Sequence, residues 1–289
     1  MKISPKYRGI FFIILAAFCF AGMNVCVRLS GDIPTIQKSF FRNIVAFAIA
    51  SYVLIRSGEG FRPNNIKNWP LFFARSLFGT FGILSNFYAV DHLLLSDASM
   101  LNKMSPFFAI IASFFLLKEK INFKQIFILI GAFVGMLFVV KPSFSNIDMF
   151  PAFIGVIGGA CAGTAYTFVR KLGQVGERNA LIVFVFSGFS CLVALPFIIF
   201  DYCPMEPFSW ISLLGAGICA AGGQFSVTAA YCNAPAKEIS VYDYSQVIFS
   251  AILGFIIFGD LPDWLSVIGY IIICGMAIIN FWMKSKSDN

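Results

Sequence analysis

The sequence predicts an all-α integral membrane protein, with ten transmembrane helices in two inverted five-helix repeats. Three observations predict it. Apolar runs fill the chain at about 9–29, 34–55, 69–90, 97–117, 124–140, 150–169, 180–200, 209–231, 239–258 and 264–282, each near the ~20 residues that a helix needs to cross a ~30 Å hydrocarbon layer. Hydrophobic residues make up 59% of the chain and the mean hydropathy is positive, too apolar a balance for a soluble globule of this size. Basic residues at the run ends fall mainly on alternate loops, as short cytoplasmic loops require. No period-2 pattern of a transmembrane barrel occurs, so the spans must be helices that satisfy their own backbone.

The runs read in order as follows. The first starts after Lys2, Lys6 and Arg8 and is followed by no small-residue cleavage site, so it reads as a retained span rather than a signal peptide. The second carries Arg42 within it and leads into the longest loop, about 56–68. The third begins at Trp69 and holds Arg75. The fourth carries Asn102, Lys103 and Pro106 and ends at a cluster of lysines; the fifth is the shortest. The sixth to tenth repeat the plan, with Asp243 inside the ninth. Trp69, Trp210, Trp264 and Trp282 sit near run ends, where an aromatic belt belongs. Placing both termini in the cytoplasm puts 15 of the 21 Lys and Arg on that side or at its edge. The chain is therefore expected in the cytoplasmic (inner) membrane as a multi-pass protein, in contact with lipid.

That distribution accounts for the formal charge of +7 without a nucleic-acid partner. Six of the eight cysteines lie inside apolar runs, no CxxC occurs and His92 is the only histidine. Neither a disulfide framework nor a zinc site is expected, and no cofactor motif or Gly-rich phosphate cradle is present. No Asp/His/Ser grouping supports an enzyme.

Residues 9–140 and 150–283 read as the two repeats. An offset of 141 residues superposes Ala21-Gly22 on Ala162-Gly163, Ala89 on Ala230, Asn102 on Asp243 and Glu119 on Asp260. An odd number of spans per half inverts the second copy, the plan of carriers that work by alternating access.

Ionisable groups inside a bilayer cost several kcal/mol and normally face the bundle interior. Arg42, Arg75, Lys103 and Asp243 are the four that matter. For Arg42 and Arg75 two readings stand: snorkelling to headgroups, or facing a cavity. Lys103 lies beside Asn102 in a polar stretch that Pro106 interrupts, and Asp243, flanked by Tyr242 and Tyr244, is too short to snorkel far. For these two a cavity role in substrate binding or proton coupling is the preferred reading. Asn86 shares a face with Arg75, Gly79 and Gly82; Gln224 shares one with Ala220, Thr228 and Tyr231; Tyr166 and Asn24 lie on small-residue stripes of the sixth and first spans. These four are pore candidates, with helix–helix hydrogen bonding as the alternative.

The segments FCFAGMNVCVRL at 18–29, KSFFRN at 38–43, ARSLFGTFG at 74–82, NFYAVDHLLLSDASMLNKMSPFFAIIASFFLLKEK at 86–120 and YCNAPAKEISVYDYSQVIFSAILGFIIFGD at 231–260 resemble the ten-span EamA-type family of the drug/metabolite transporter superfamily, over about residues 9–283. The family's Arg early in span two, Ala-rich start of span four, Pro within it and Glu after it fall on Arg42, Ala98, Pro106 and Glu119. The second repeat departs from the pattern, with Val247 in place of a Pro and Asp260 in place of a Glu. The resemblance implies a secondary transporter (permease) whose central cavity is lined by spans one, three, four and their second-half partners. A small polar metabolite, such as an amino acid or an amino-acid-derived zwitterion, would offer an ammonium to Asp243 and a carboxylate to Lys103, with protons as the coupling ion. Export of drug-like or nucleoside-type compounds, and a non-transport role as sensor or assembly protein, are the alternatives. Five plus five spans can enclose a pathway in a monomer, and the sequence sets no oligomeric state.

Overall fold

The computed structural model describes residues 5–58, 60–93, 101–120, 123–141, 149–259 and 261–285. The first half holds α1 (Pro5–Leu29), α2 (Thr35–Ser57), α3 (Trp69–His92), α4 (Ser105–Leu117) and α5 (Phe123–Val140). The second holds α6 (Met149–Gln174), α7 (Asn179–Phe200), α8 (Pro207–Asn233), α9 (Ser245–Phe258) and α10 (Trp264–Ser285). Eight spans among the described residues are long and apolar enough to cross a membrane by themselves, one of them the whole segment Ala236–Phe258. The 24-residue α3 and the short α4 complete the ten.

The 141-residue offset reappears in the backbone. It carries the end of α3 at His92 onto the end of α8 at Asn233, and the start of α5 at Phe123 onto the start of α10 at Trp264. It also carries Lys118, which closes α4 in the left-handed conformation (φ 56°), onto Gly259, which closes α9 in the same way (φ 72°). Ala98 and Asp260, two positions of the family pattern, lie outside the described residues.

The halves interleave. The most extensive contacts pair the first helix of each half with the third helix of the other, α1 with α8 and α6 with α3. Each fourth helix packs on the first helix of the other half, α4 on α6 and α9 on α1. The second helices pair with each other, as do the fifth. The α1–α8 contact uses the cysteines as small apolar knobs: Cys19, Gly22 and Cys26 meet Gly222, Cys219 and Gly215, each thiol seated on a glycine. These pairs run in opposite directions along the two helices, so α1 and α8 are antiparallel. Gly9 at the start of α1 lies against Ala234 just beyond α8, while Val169, Arg170 and Gly173 near the end of α6 reach Cys232 in the same place. The start of α1 and the end of α6 therefore share one face of the bundle, which is the inversion.

Polar ties close that face, which also carries the end of α10, where Phe281 lies near Tyr7 of α1. Glu119 pairs with Arg170 at 3.3 Å, and Arg170 donates to the carbonyls of Tyr231 and Cys232 at 3.4 and 3.1 Å. Buried Glu177 accepts from Asn64 N–H at 3.1 Å and Asn68 Nδ2 at 2.6 Å, tying the longest loop to the α6–α7 turn. On the other face, Gln37 exchanges two hydrogen bonds with the backbone of Cys203, at 2.8 and 2.9 Å. Lys141 pairs with Asp263 there, joining α5 to α10. Asp263 also caps α10 by accepting from Ser266 N and Oγ. The bonds from Lys141 and then Ser266 hold its carboxyl down to about 2. A depressed folded-state value contributes stability above the unfolded value of about 3.9 and loses it as pH falls toward 2, so the clamp stays closed from pH 5 to 8. The four tryptophans sit at helix ends, 42–70% exposed.

The crossings make a direct prediction about glycine. A Cβ on Gly163 would meet Ser105 O at 2.5 Å and Ala109 N at 2.6 Å, backbone atoms of α4 that cannot yield, whereas one on Gly275 meets nothing within 4 Å. Gly163→Ala should lower the thermal midpoint by the equivalent of about 1–3 kcal/mol. Gly275→Ala should leave it unchanged or raise it by up to about 1 kcal/mol. Equal midpoints for the two variants in one detergent would refute this packing.

Candidate functional site

Neither fourth helix is continuous. With 13 residues, α4 is about 20 Å long, well short of the ~30 Å hydrocarbon layer. Residues 101–102 are helical and 103–104 form a turn ahead of it. Pro106 lies in the first turn of α4, where its missing N–H costs nothing. It therefore starts the helix, where the sequence suggested a break inside a span of 97–117. In the second half, a one-turn helix at Ala236–Ile239 passes into a 3₁₀ segment at Ser240–Tyr244 before α9 begins. No proline marks this break. Ser245 donates to the Tyr242 carbonyl from both its backbone N–H and its Oγ, the latter at 2.6 Å, which closes the 3₁₀ segment where α9 begins.

The two breaks meet. Lys103 Nζ donates to Asp243 Oδ2 at 2.9 Å and to Gln246 Oε1 at 2.7 Å. Tyr244 Oη donates to the Lys103 carbonyl at 3.0 Å. The ammonium and carboxylate are only 18% and 20% exposed, a setting in which the pair gains from mutual neutralisation and from the extra acceptor on Gln246. Acid and base thus pair with each other in this arrangement. Asn102, the symmetry mate of Asp243, stands beside the pair in sequence and is half-buried.

Around this pair lies a polar and aromatic cluster. Arg75 is 3% exposed, buried inside the bundle. Its guanidinium lies over the Phe186 ring at 4.0 Å and reaches Gln224 Oε1 at 3.5 Å. Gly79, one turn along α3, leaves the space that the guanidinium occupies. Arg42 is half-buried, with its Nε sealed from solvent and without a hydrogen-bond partner; its Nη1 contacts Met23 Sδ at 3.8 Å. Tyr166 stands within electrostatic reach of Arg42, Arg75 and Asp243 and stacks on Tyr231, ring centres 4.8 Å apart.

Other candidates take different places. The Tyr242 hydroxyl is buried and faces Asn280, Glu238 and Tyr7, so it belongs to the packing against α1 and α10. Tyr244 is a brace between the two breaks rather than a free wall of a cavity. Asn86 lies at the α3–α6 crossing beside Gly158, as helix–helix packing requires. Asn24 is exposed and makes no hydrogen bond among the described residues. Gln246 and Phe186 were not singled out as binding candidates. Gln246 was legible as the mate of Ser105 beside Asp243, whereas Phe186 is one of 36 phenylalanines with nothing in the chain to distinguish it.

Ten helices in two inverted, interleaved halves, with paired charges at two opposed helix breaks, define a membrane transporter rather than an enzyme. The EamA-like transporter family matches residues 7–141 and 149–282, and the chain belongs to that family. Among its relatives is the pseudopaline exporter CntI of Pseudomonas aeruginosa, 30% identical over 92% of this chain and 93% of that protein. Another is the S-adenosylmethionine uptake transporter of Rickettsia prowazekii, 24% identical over 90% of this chain and 87% of that one. A solved crystal structure superposes with a TM-score of 0.82 over 97% of this chain and 99% of the other, at 15% identity, a likeness of fold alone.

The bridge can be weighed by a double-mutant cycle. Lys103→Met and Asp243→Asn each strand one partner in a poorly hydrated place, so each should lower the thermal midpoint. The double variant should recover part of that loss, with a coupling of about 1–3 kcal/mol. Strictly additive losses would mean that the two groups do not interact in the folded protein.

Proposed function

We propose that this protein is a secondary transporter that moves a small polar metabolite, an amino acid or an amino-acid-derived zwitterion, across the cytoplasmic membrane by alternating access, with both termini in the cytoplasm. The observation that carries this reading is the Lys103–Asp243 bridge between the breaks of the two fourth helices. In the empty carrier each charge neutralises the other. A zwitterion exchanges that internal pair for two external ones, its carboxylate on Lys103 and its ammonium on Asp243. A proton on Asp243 releases Lys103 in the same way, which gives a route to proton coupling. Because the bridge joins the two halves, its exchange links occupancy to their relative position. A ligand shifts that equilibrium only by its differential affinity for the two arrangements.

The relatives support the general reading and leave direction to the gradients. One is named for export and the other for uptake, and an alternating-access cycle runs either way. The lysines and arginines concentrated at the termini and alternate loops support the orientation.

Radiolabel counterflow in proteoliposomes tests the proposal, with amino acids, S-adenosylmethionine, nucleosides and small organic anions as solutes. Saturable counterflow of an amino-acid-type solute is expected in the wild type, and a fall of at least about tenfold, or about 1.4 kcal/mol, in D243N. Undiminished counterflow in D243N would remove Asp243 from the transport cycle. Counterflow confined to nucleosides would replace the zwitterion by the second substrate class.

A further inference from the structure

We infer that Arg170 is the latch of a gate, closed in this structure, at the end of the transport pathway where the start of α1 and the end of α6 lie. The inference rests on the transport reading and assigns that carrier a gating residue. It starts from a broken symmetry. Under the 141-residue offset the α6–α8 crossing is the mate of an α1–α3 crossing. Yet α6 and α8 pack on each other, whereas α1 and α3 share no comparable contact among the described residues. In a carrier built from inverted repeats, one bundle moves against the other around the site. A crossing made at one end without its mate at the other therefore marks the closed end.

Arg170 fastens that crossing. Its Nη1 donates to the carbonyls of Tyr231 and Cys232 at 3.4 and 3.1 Å, in the last turn of α8, where helix carbonyls lack intrahelical donors. Its Nε donates to Glu119 at 3.3 Å, and the two side chains are only 16% and 17% exposed. Glu119 holds the guanidinium from its own side. It follows α4, which packs on α6 through Gly163 and through Thr167 Oγ1, a donor to the Ala109 carbonyl at 3.2 Å. The bonds to α8 are thus the ones that parting α6 from α8 breaks. Lys237 adds an exposed bond to the Lys120 carbonyl at 2.8 Å. One turn before Arg170, Tyr166 stacks on Tyr231, so the residue that receives the latch also adjoins the candidate site.

A plain helix cap is the competing account, since a cation at a helix C-terminus satisfies its last carbonyls. The end of α3 argues against it. It falls at His92, the position equivalent to Asn233 at the end of α8, with Leu29 standing where the offset puts Arg170. A helix end of this kind forms without the arginine. What Arg170 adds is a bond between helices.

Cys232 reports on the gate. It packs on Gly173 and its thiol contacts the Val169 carbonyl at 3.7 Å, so parting α6 from α8 uncovers it. The test follows alkylation of every native cysteine by N-ethylmaleimide in the purified full-length protein, resolved by peptide mass spectrometry. Cys203, on the opposite face, and buried Cys191 in α7 serve as references. R170Q should raise the Cys232 rate about tenfold or more, as expected when a local opening becomes easier. The Cys203 rate should stay unchanged and Cys191 should stay protected. R170K should return part of the protection, because one ammonium cannot hold Glu119 and α8 together as a guanidinium fork does. E119A should raise the Cys232 rate by a smaller factor than R170Q. If R170Q fails to fold, R170K and E119A carry the same comparison.

Equal Cys232 rates in the wild type and the folded variants would overturn the inference. So would a rise at Cys232 matched by one at Cys191, since general loosening marks Arg170 as a structural cap. Wild-type counterflow combined with an unchanged Cys232 rate sinks the latch and leaves the transport reading intact. Arg170-dependent protection of Cys232 without counterflow of any solute does the reverse, leaving a fastening in a protein that carries nothing.

Discussion

The Lys103–Asp243 bridge is the interaction on which the interior of this protein turns. A charged group in a hydrocarbon layer must find a partner, water or an exit to the interface, and the bridge provides a partner where, among the described residues, the fourth span of each half loses its helical regularity. The broken backbone and the paired charges explain each other. The turn at 103–104 and the 3₁₀ segment at 240–244 bring the two side chains within 2.9 Å, and Tyr244 ties one break to the carbonyl of the other. Irregular backbone of this kind is tolerated at membrane depth only when enclosed by protein or lining a cavity. Here α1, α4 and α5 pack around the 240–244 segment.

The same constraint orders the rest of the bundle. Interleaving the halves places the first, third and fourth helix of each half against helices of the other. Small residues permit this. Glycines on α3, α6 and α8 leave room for a neighbouring backbone or thiol where an added Cβ would crowd it, and van der Waals packing takes over where the lipid provides no hydrophobic drive for helices to associate. Polar ties lie at the two faces: Glu119–Arg170 and Glu177 with its asparagines on one, Gln37–Cys203 and Lys141–Asp263 on the other.

Particular residues show how far the chain could be read. Arg42, Arg75, Lys103 and Asp243 were conspicuous because charge inside an apolar run is costly wherever it points. Their partners were another matter. Whether Asp243 met Lys103 or a solute depended on how two segments 140 residues apart fold against each other. The break in the ninth span carries no proline, and a 3₁₀ turn of ordinary residues looks like helix in sequence. Tyr242 and Tyr244 looked equivalent as flanks of Asp243. On a 3₁₀ backbone they diverge, one toward α10 and the other onto Lys103.

By itself the sequence determined the class, the span count and the internal duplication. Each depends on composition and on spacing along one chain: apolar length against bilayer thickness, basic loops in alternation, and a 141-residue echo that survives in helix ends and caps. Only the tertiary structure decided which buried charges neutralise each other and which are left with unused donors. That depends on distances between helices, and the crossings that set those distances are made by glycine, alanine and cysteine, residues with no charge and little pattern by which a sequence could announce them.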